Sequence, residues 1–99
     1  MHSSTAKFKK KLTYRIKMKE FSNISDDEIL AFYKKVSQNI QKLRQERKIS
    51  QLDLALEIGI KSVAFYSNCE NCRYNKHFNL EHIYKISKAL NVNITAFFE

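Results

Sequence analysis

The segment from Ile49 to Glu70, ISQLDLALEIGIKSVAFYSNCE, constrains the fold more than any other part of the chain. It predicts a short helix, a tight turn at Gly59 and a second helix. Gly59 is the only glycine in the chain, and glycine accepts positive φ without steric cost. It lies where the apolar period of the first helix stops, after Leu52, Leu54, Ala55 and Ile58. Because this unit places its second helix in a DNA groove, DNA recognition is the leading hypothesis.

A longer pattern supports this hypothesis. It consists of Ile40, Leu43, Arg44, Ser50, Gln51, Leu54, Ala55, Gly59, Tyr66, Ser67, Glu70, Leu80, Ile83, Ile86, Leu90, Val92 and Phe97. Through these residues the chain from about Val36 to Phe98 resembles the helix-turn-helix domain of phage Cro and phage repressors, the XRE-like class. The resemblance implies an all-α, five-helix, repressor-like domain. One extra residue between Gly59 and Glu70 indicates an insertion at Lys61, so positions in helix 3 are defined to within one residue.

Length and composition agree with one small domain. The chain has 99 residues, 43% of them apolar, which is enough for one modest core. It contains no secretory segment and no apolar run near the roughly 18 residues of a membrane span. With two cysteines and no export signal, we expect a soluble, cytoplasmic protein without membrane contact. We also expect no enzyme and no cofactor, because no nucleophile–base set, phosphate loop or paired carboxylates occur.

The first 21 residues form a basic arm. They carry seven Lys and Arg side chains against one Glu, whereas residues 22–99 carry eleven against nine acidic side chains. Such an arm attracts polyanions without sequence preference. It predicts either contact with DNA or a solvated basic end. We therefore divide the chain into this arm, 1–21, and a helix-turn-helix domain, 22–99, with the family-like part at about 36–98.

From Lys11 to Lys19 polar and apolar residues alternate, which predicts a half-buried β-strand. Its apolar face consists of Leu12, Tyr14, Ile16 and Met18. No other segment alternates in this way, and a lone strand leaves its backbone groups unpaired. We therefore predict that these four residues form a dimer contact, in which the strand pairs with the same strand of a second copy. The alternative is a disordered basic tail.

Helix 1 is predicted to be longer than in the family. Ser25 to Glu28, SDDE, is a capping-box sequence, and an apolar face continues from it to about Arg47. This face consists of Ile29, Phe32, Tyr33, Val36, Ile40 and Leu43. The extra turns from Ser25 to Lys35 must cover something. We expect them to pack against the strand or against a partner subunit.

The DNA-binding residues are predicted from helices 2 and 3. Ser50 is the predicted N-cap of helix 2. The resemblance implies that Ser50 and Gln51 anchor the DNA backbone and that Gln51 braces the start of helix 3. Helix 3, about Ser62 to Cys69, buries Tyr66 and Cys69, and Ser62 at its start is also predicted to contact DNA. It leaves Val63, Ala64, Ser67 and Asn68 on the groove-facing side.

Asn68 suits adenine, and Val63 or Ala64 can meet a thymine methyl group, so base readout is expected to favour A·T pairs. Phe65 is either another thymine-methyl contact or a core residue. Since helix 3 contains no Lys or Arg, affinity is expected to come from the basic arm and from Lys61, Arg73 and Lys76.

The resemblance also implies a buried ion pair. In the family, an arginine late in helix 1 pairs with a glutamate after helix 3, and Arg44 and Glu70 occupy those positions. Their role is structural, because they hold the recognition helix on the scaffold.

A different pattern runs through Cys69, Cys72, His77 and His82, with the spacing C-x2-C-x4-H-x4-H. It is close to a zinc knuckle, and four such ligands suit tetrahedral zinc. However, the fold would bury Cys69, His82 falls within helix 4, and the glycines of a knuckle are missing. The ordinary interpretation is a buried cysteine, so we expect no metal site.

The C-terminal part completes the scaffold. Helix 4, about Leu80 to Leu90, should bury Ile83, Ile86 and Leu90, and Asn91 should form its left-handed cap. A last short helix spans Ile94 to Phe98 and adds Phe97 to the core. The whole pattern predicts a regulator that binds double-stranded DNA as a homodimer by operator occupancy. The alternative is a protein-interaction module, such as the antitoxin of a toxin–antitoxin pair, with a protein partner and autoregulatory DNA binding.

Overall fold

A computed structural model of the protein describes residues 23–99. These residues form four α-helices: α1 (Asp26–Glu46), α2 (Gln51–Glu57), α3 (Val63–Glu70) and α4 (Leu80–Leu90). Two short 3₁₀ helices are added, Arg73–Asn75 and Ile94–Phe98. Within residues 23–99 the fold is therefore all-helical, with no β-strand. The predicted strand Lys11–Lys19 and the arm 1–21 lie outside the described residues.

The predicted count of five helices needs one correction. The fifth segment, Ile94–Phe98, is a 3₁₀ helix and not an α-helix. Five residues are too few to build successive α-helical turns, and short terminal segments adopt the tighter 3₁₀ form.

Serine side chains begin the first three helices. Ser25 Oγ accepts a hydrogen bond from the Glu28 N–H at 3.1 Å, and Ser50 Oγ accepts one from Asp53 at 3.0 Å. Ser62, predicted as the first residue of helix 3, is its N-cap instead and accepts from the Phe65 N–H at 3.1 Å. Each hydroxyl satisfies a backbone N–H that has no partner within its helix.

Gly59 adopts φ +83° in the turn between α2 and α3. Its N–H donates to the Leu56 carbonyl at 3.1 Å, and the N–H of Ile60 donates to the Ala55 carbonyl at 2.8 Å. These are the two hydrogen bonds of a Schellman motif, which closes the end of a helix. Ile60 is buried, so the motif also fixes the point at which the chain enters α3. The glycine turn was predicted correctly.

Buried apolar side chains from all four α-helices and the connecting segments form one core. It contains Val36, Ile40, Leu54, Ala55, Ile58, Ile60, Tyr66, Cys69, Phe78, Ile83, Ile86, Leu90 and Phe97. The predictions for α3, α4 and Phe97 are confirmed, and Asn91 has the expected left-handed conformation with φ +54°. Leu52 is exposed, against expectation. It lies about 200° around the helix from Leu54, so α2 turns it away from the core.

The C-terminal segment is attached to α1. Asn39 Nδ2 donates hydrogen bonds to the carbonyl of Phe97 at 2.9 Å and to that of Glu99 at 3.1 Å. The N-terminal part of α1 is less covered: Ile29 and Phe32 are exposed. In residues 23–99 no helix combines the length and the apolar composition needed to cross a bilayer.

Candidate nucleic-acid interface

The carboxylate of Glu70, at the end of α3, joins three helices. Arg44 of α1 donates through Nε to Oε2 and through Nη2 to Oε1, both at 2.9 Å. Tyr66 donates its hydroxyl to Oε2 at 2.7 Å, and Gln51 of α2 donates Nε2 to Oε1 at 3.1 Å. A third Arg44 hydrogen bond reaches the Ile49 carbonyl at 2.8 Å, just before α2. The network therefore fixes α3 relative to both α1 and α2.

The network is buried and complete. The Arg44 and Glu70 side chains are only 8% and 0% exposed. No buried side-chain nitrogen or oxygen in the described part of the chain lacks a hydrogen-bond partner. These hydrogen bonds are necessary, because burying a charge without partners is strongly unfavourable.

These contacts also set the ionisation of the network. Burial alone would raise the pKa of Glu70, but the hydrogen bonds from Arg44, Tyr66 and Gln51 outweigh it and hold that pKa below its usual value. The hydrogen bond to Glu70 raises the pKa of Arg44, against burial. Burial, reinforced by Glu70, raises the pKa of Tyr66. All three groups therefore remain in one ionisation state at neutral pH.

Gln51 differs from the expectation drawn from the family. Its side chain was expected to brace the start of helix 3, but its hydrogen bond goes to Glu70 at the opposite end of α3. The physical reason is that the buried carboxylate accepts this additional donor. Ser50, which precedes α2, is exposed and uses its hydroxyl as the N-cap.

The predicted groove-facing residues of α3 share one side of the helix. Val63 and Ala64 are exposed, and Ser67 and Asn68 are half-buried. Their spacing of one, four and five residues places them on one face. Tyr66, Cys69 and Glu70 form the opposite, buried face. The structure thus brings the four predicted readers together, with small side chains at the exposed start of the helix.

Phe65 lies on neither of these faces. It is half-buried and packs against the core, with its ring centroid 6.2 Å from that of His82 in an edge-on arrangement. Of the two alternatives, the structure therefore favours packing between α3 and α4 over contact with a base. Its position is about 200° around the helix from Val63, which turns it towards α4.

Exposed cations lie on both sides of α3 in the chain. Lys61 precedes the helix, and Arg73 and Lys76 follow it. Arg73 begins the 3₁₀ helix Arg73–Asn75, in which Tyr74 and Asn75 have positive φ, as does the preceding Cys72. This strained turn could not be predicted from the sequence, because none of these residues is glycine.

The two cysteines occupy separate environments. Cys69 is fully buried in the core, and burial, with a smaller contribution from Cys72, raises the pKa of its thiol to about 11. Cys72 is half-buried, with its sulfur 3.6 Å from the Ser37 hydroxyl oxygen. Cys69 is therefore a packing residue with little thiolate at neutral pH.

The two histidines of the C-x2-C-x4-H-x4-H pattern, His77 and His82, also have other contacts. His77 stacks on Tyr33, with ring centroids 3.8 Å apart. His82 forms a capping box with Asn79: its Nδ1 accepts from the Asn79 N–H at 3.2 Å, and its own N–H donates to Asn79 Oδ1 at 2.8 Å. This box was not predicted from the sequence, because it uses Asn and His in place of Ser and Glu. Among the described residues, no three His, Cys, Asp or Glu side chains are grouped to hold a metal ion.

Comparison with known proteins agrees with this arrangement. A family model described as Helix-turn-helix matches residues 40–97, more than half of the chain. The match includes α2, the Gly59 turn, α3 and both partners of the Arg44–Glu70 pair. No curated protein and no solved structure matches the chain. The family model confirms the resemblance, and the chain belongs to the helix-turn-helix family, in its XRE-like class of DNA-binding transcription regulators.

Proposed function

We propose that the protein is a homodimeric regulator that recognises a specific operator and acts by occupying it. The observation that carries the proposal is the fixed orientation of α3, whose last residue is bonded to α1 and α2 through Glu70. A recognition helix that cannot rotate presents one constant face to the bases. In a two-fold dimer, two such helices enter successive major grooves, about 34 Å apart.

Base readout is assigned to the outward face of α3. Asn68 forms a bidentate pair with adenine, and Ser67 supplies a hydroxyl donor and acceptor. Val63 and Ala64 contact thymine methyl groups, and the Ser62 N-cap lies beside them. This set of side chains favours A·T-containing sites and offers no bidentate partner for guanine.

The DNA backbone is held by a second group of residues. Ser50 and Gln51 contact phosphates at the start of α2, as the family resemblance implies. Lys61, Arg73 and Lys76 supply positive charge on both sides of α3, and the arm 1–21 adds a net charge of +6. These contacts position the protein and provide affinity, without sequence information of their own.

The dimer is assigned to the arm. Leu12, Tyr14, Ile16 and Met18 form one apolar face of the predicted strand, and no other segment of the sequence alternates in the same way. Pairing with the same strand of a second copy would satisfy the backbone groups along one edge of each strand. The resulting two-fold axis would impose an inverted repeat on the operator.

Selection of bound sequences from a random duplex library, with the full-length protein, tests this function. We expect enrichment of an A·T-containing inverted repeat whose half-sites are centred about 10 base pairs apart. Failure to enrich any sequence would contradict specific recognition. Enrichment of a single site without an inverted repeat would contradict the homodimer.

A second candidate is a protein-interaction module such as an antitoxin. The exposed apolar residues Ile29 and Phe32 at the start of α1 favour a protein contact at this surface. In that case the purified protein should enrich no duplex by itself. Selective DNA binding should appear only after co-expression with the product of a neighbouring gene.

A further inference from the structure

An apolar groove lies between the N-terminal part of α1 and the start of α4, away from the Glu70 network. Its volume is about 380 Å³, and three of its rim residues are strongly exposed: Phe32 at 54%, Leu80 at 81% and Phe98 at 40%. Val36, Phe78 and Ile83 form its buried floor. Monomeric proteins rarely expose several large apolar side chains to water in one continuous patch.

The groove suits apolar side chains better than a polar small molecule. Ser37 Oγ already donates to the Cys69 carbonyl at 3.2 Å, and Asn79 Oδ1 accepts from His82. The His77 ring is stacked on Tyr33. Small-molecule sites combine an apolar lining with several converging polar groups, whereas the Ser37 hydroxyl and Asn79 Oδ1 are already hydrogen-bonded within the protein. The lining therefore favours the binding of a peptide segment with apolar side chains.

We propose that residues 11–19 of the same chain dock in this groove, with Leu12, Tyr14, Ile16 and Met18 facing Phe32, Leu80 and Phe98. In an extended segment these four alternate side chains lie on one face and span about 20 Å. This contact concerns the folding of the arm and not DNA binding. It uses the apolar side chains of residues 11–19, and only the pairing of their backbone with a second copy rests on the proposed dimer.

Only a short linker separates residues 11–19 from α1 in the chain. Phe32 lies about 9 Å along α1 from the beginning of that helix, at 1.5 Å per residue. Residues 20–25 separate the segment from α1 and can span about 20 Å when extended. The segment can therefore turn back along α1 and reach the groove without disturbing the described fold.

Charge complementarity supports the same occupant. The first turn of α1 exposes Asp26, Asp27 and Glu28, four to six residues before Phe32 of the groove rim. The polar face of the segment is basic, with Lys11, Arg15, Lys17 and Lys19. Docking of the apolar face leaves these cations at the acidic helix start and at the surface, where they can still attract DNA.

Disulfide trapping in the full-length protein tests the inference. All variants are made in a Cys72→Ser background. Cys69 is left in place, because it is fully buried and should not react with the introduced cysteines. Leu80→Cys is combined with a cysteine at Tyr14, Ile16 or Met18 in one series, and at Thr13, Arg15 or Lys17 in the control series. Leu80 is the most exposed rim residue, so its substitution should leave the fold intact.

We expect the best member of the first series to form an intramolecular disulfide at least fivefold faster than any control, because a disulfide requires Cα atoms within about 7 Å. Equal rates in the two series would overturn the inference. A covalent dimer on a non-reducing gel would also overturn it, because the segment would then occupy the groove of another copy. Sedimentation of the unmodified protein distinguishes the groove contact from the homodimer. If that protein is a monomer and the first cysteine series still forms the disulfide faster than the control series, the homodimer is rejected and the groove contact is supported.

Discussion

Glu70, the last residue of α3, accepts two 2.9 Å hydrogen bonds from Arg44 of α1, 26 residues earlier in the chain. The bidentate geometry fixes both the distance and the relative rotation of the two helices. Tyr66 and Gln51 complete the acceptor sites of the same carboxylate. This buried side chain therefore holds the proposed recognition helix to α1 and α2, in addition to the core packing of α3.

Replacement of Glu70 by Ala should destabilise the fold by about 3 to 5 kcal/mol, because the Arg44 charge stays buried without its partner. Chemical denaturation measures this loss. The double variant Arg44→Leu/Glu70→Leu should lose less, because it leaves no buried charge. Unchanged stability of Glu70→Ala would show that the network does not hold α3 in place.

The same carboxylate should make stability depend on pH in acid. The pKa of Glu70 is lower in the folded protein than its ordinary value of 4.5, so below that value the unfolded chain binds more protons. The free energy of unfolding should therefore fall as pH decreases from about 5 through the folded-state pKa of Glu70. Denaturation between pH 3 and pH 6 measures this slope. It should be shallower in Glu70→Gln and unchanged in the control Glu57→Gln, whose side chain is exposed; equal slopes would argue against this role.

The salt dependence of DNA binding separates phosphate contacts from base contacts. Each phosphate contact contributes about −0.9 to the slope of log K against log salt concentration. Lys61→Ala, Arg73→Ala and Lys76→Ala should each make the slope shallower by about this amount, for specific and random duplexes alike. Lys88→Ala is the matched control, because Lys88 lies over the Tyr84 ring on α4. An equal change of the slope in Lys88→Ala would contradict the assignment of phosphate contacts to Lys61, Arg73 and Lys76.

Oligomeric state tests the role of the arm. Ile16→Asp places a charge on the apolar face of the predicted strand, whereas Thr13→Asp places the same charge on its polar face. We expect Ile16→Asp to be monomeric or prone to aggregation by sedimentation, and to bind without regard to half-site spacing. Thr13→Asp should remain dimeric. Soluble dimers for both variants would reject the strand pairing and leave a basic tail.

Local features of the fold followed from the sequence because each has a local physical cause. Serine caps at Ser25 and Ser50 and the left-handed residues Gly59 and Asn91 all lie where short-range preferences place them. The burial of Tyr66 and Cys69 followed from helical spacing and the family pattern.

Other features depend on contacts between distant segments and left no pattern to detect. Asn39 reaches the carbonyls of the C-terminal segment about sixty residues away, and His77 stacks on Tyr33. The His82 ring serves as a helix cap, although its spacing from the cysteines resembled a metal ligand. In the candidate interface the pairing of Arg44 with Glu70 was expected from the family, but the direction of the Gln51 side chain was not. That direction depends on an acceptor that exists only in the assembled core.

The central claim, that the outward face of α3 reads bases, is tested most directly by the affinities of Asn68→Ala and Ser67→Ala for two duplexes. One duplex carries the selected operator, and the other has a random sequence of equal length at the same salt concentration. A lost base contact should weaken operator binding by about tenfold or more, within the 1 to 3 kcal/mol of a good pair. Binding to the random duplex should stay within about twofold, because phosphate contacts are unchanged. Equal losses on the two duplexes would contradict the account.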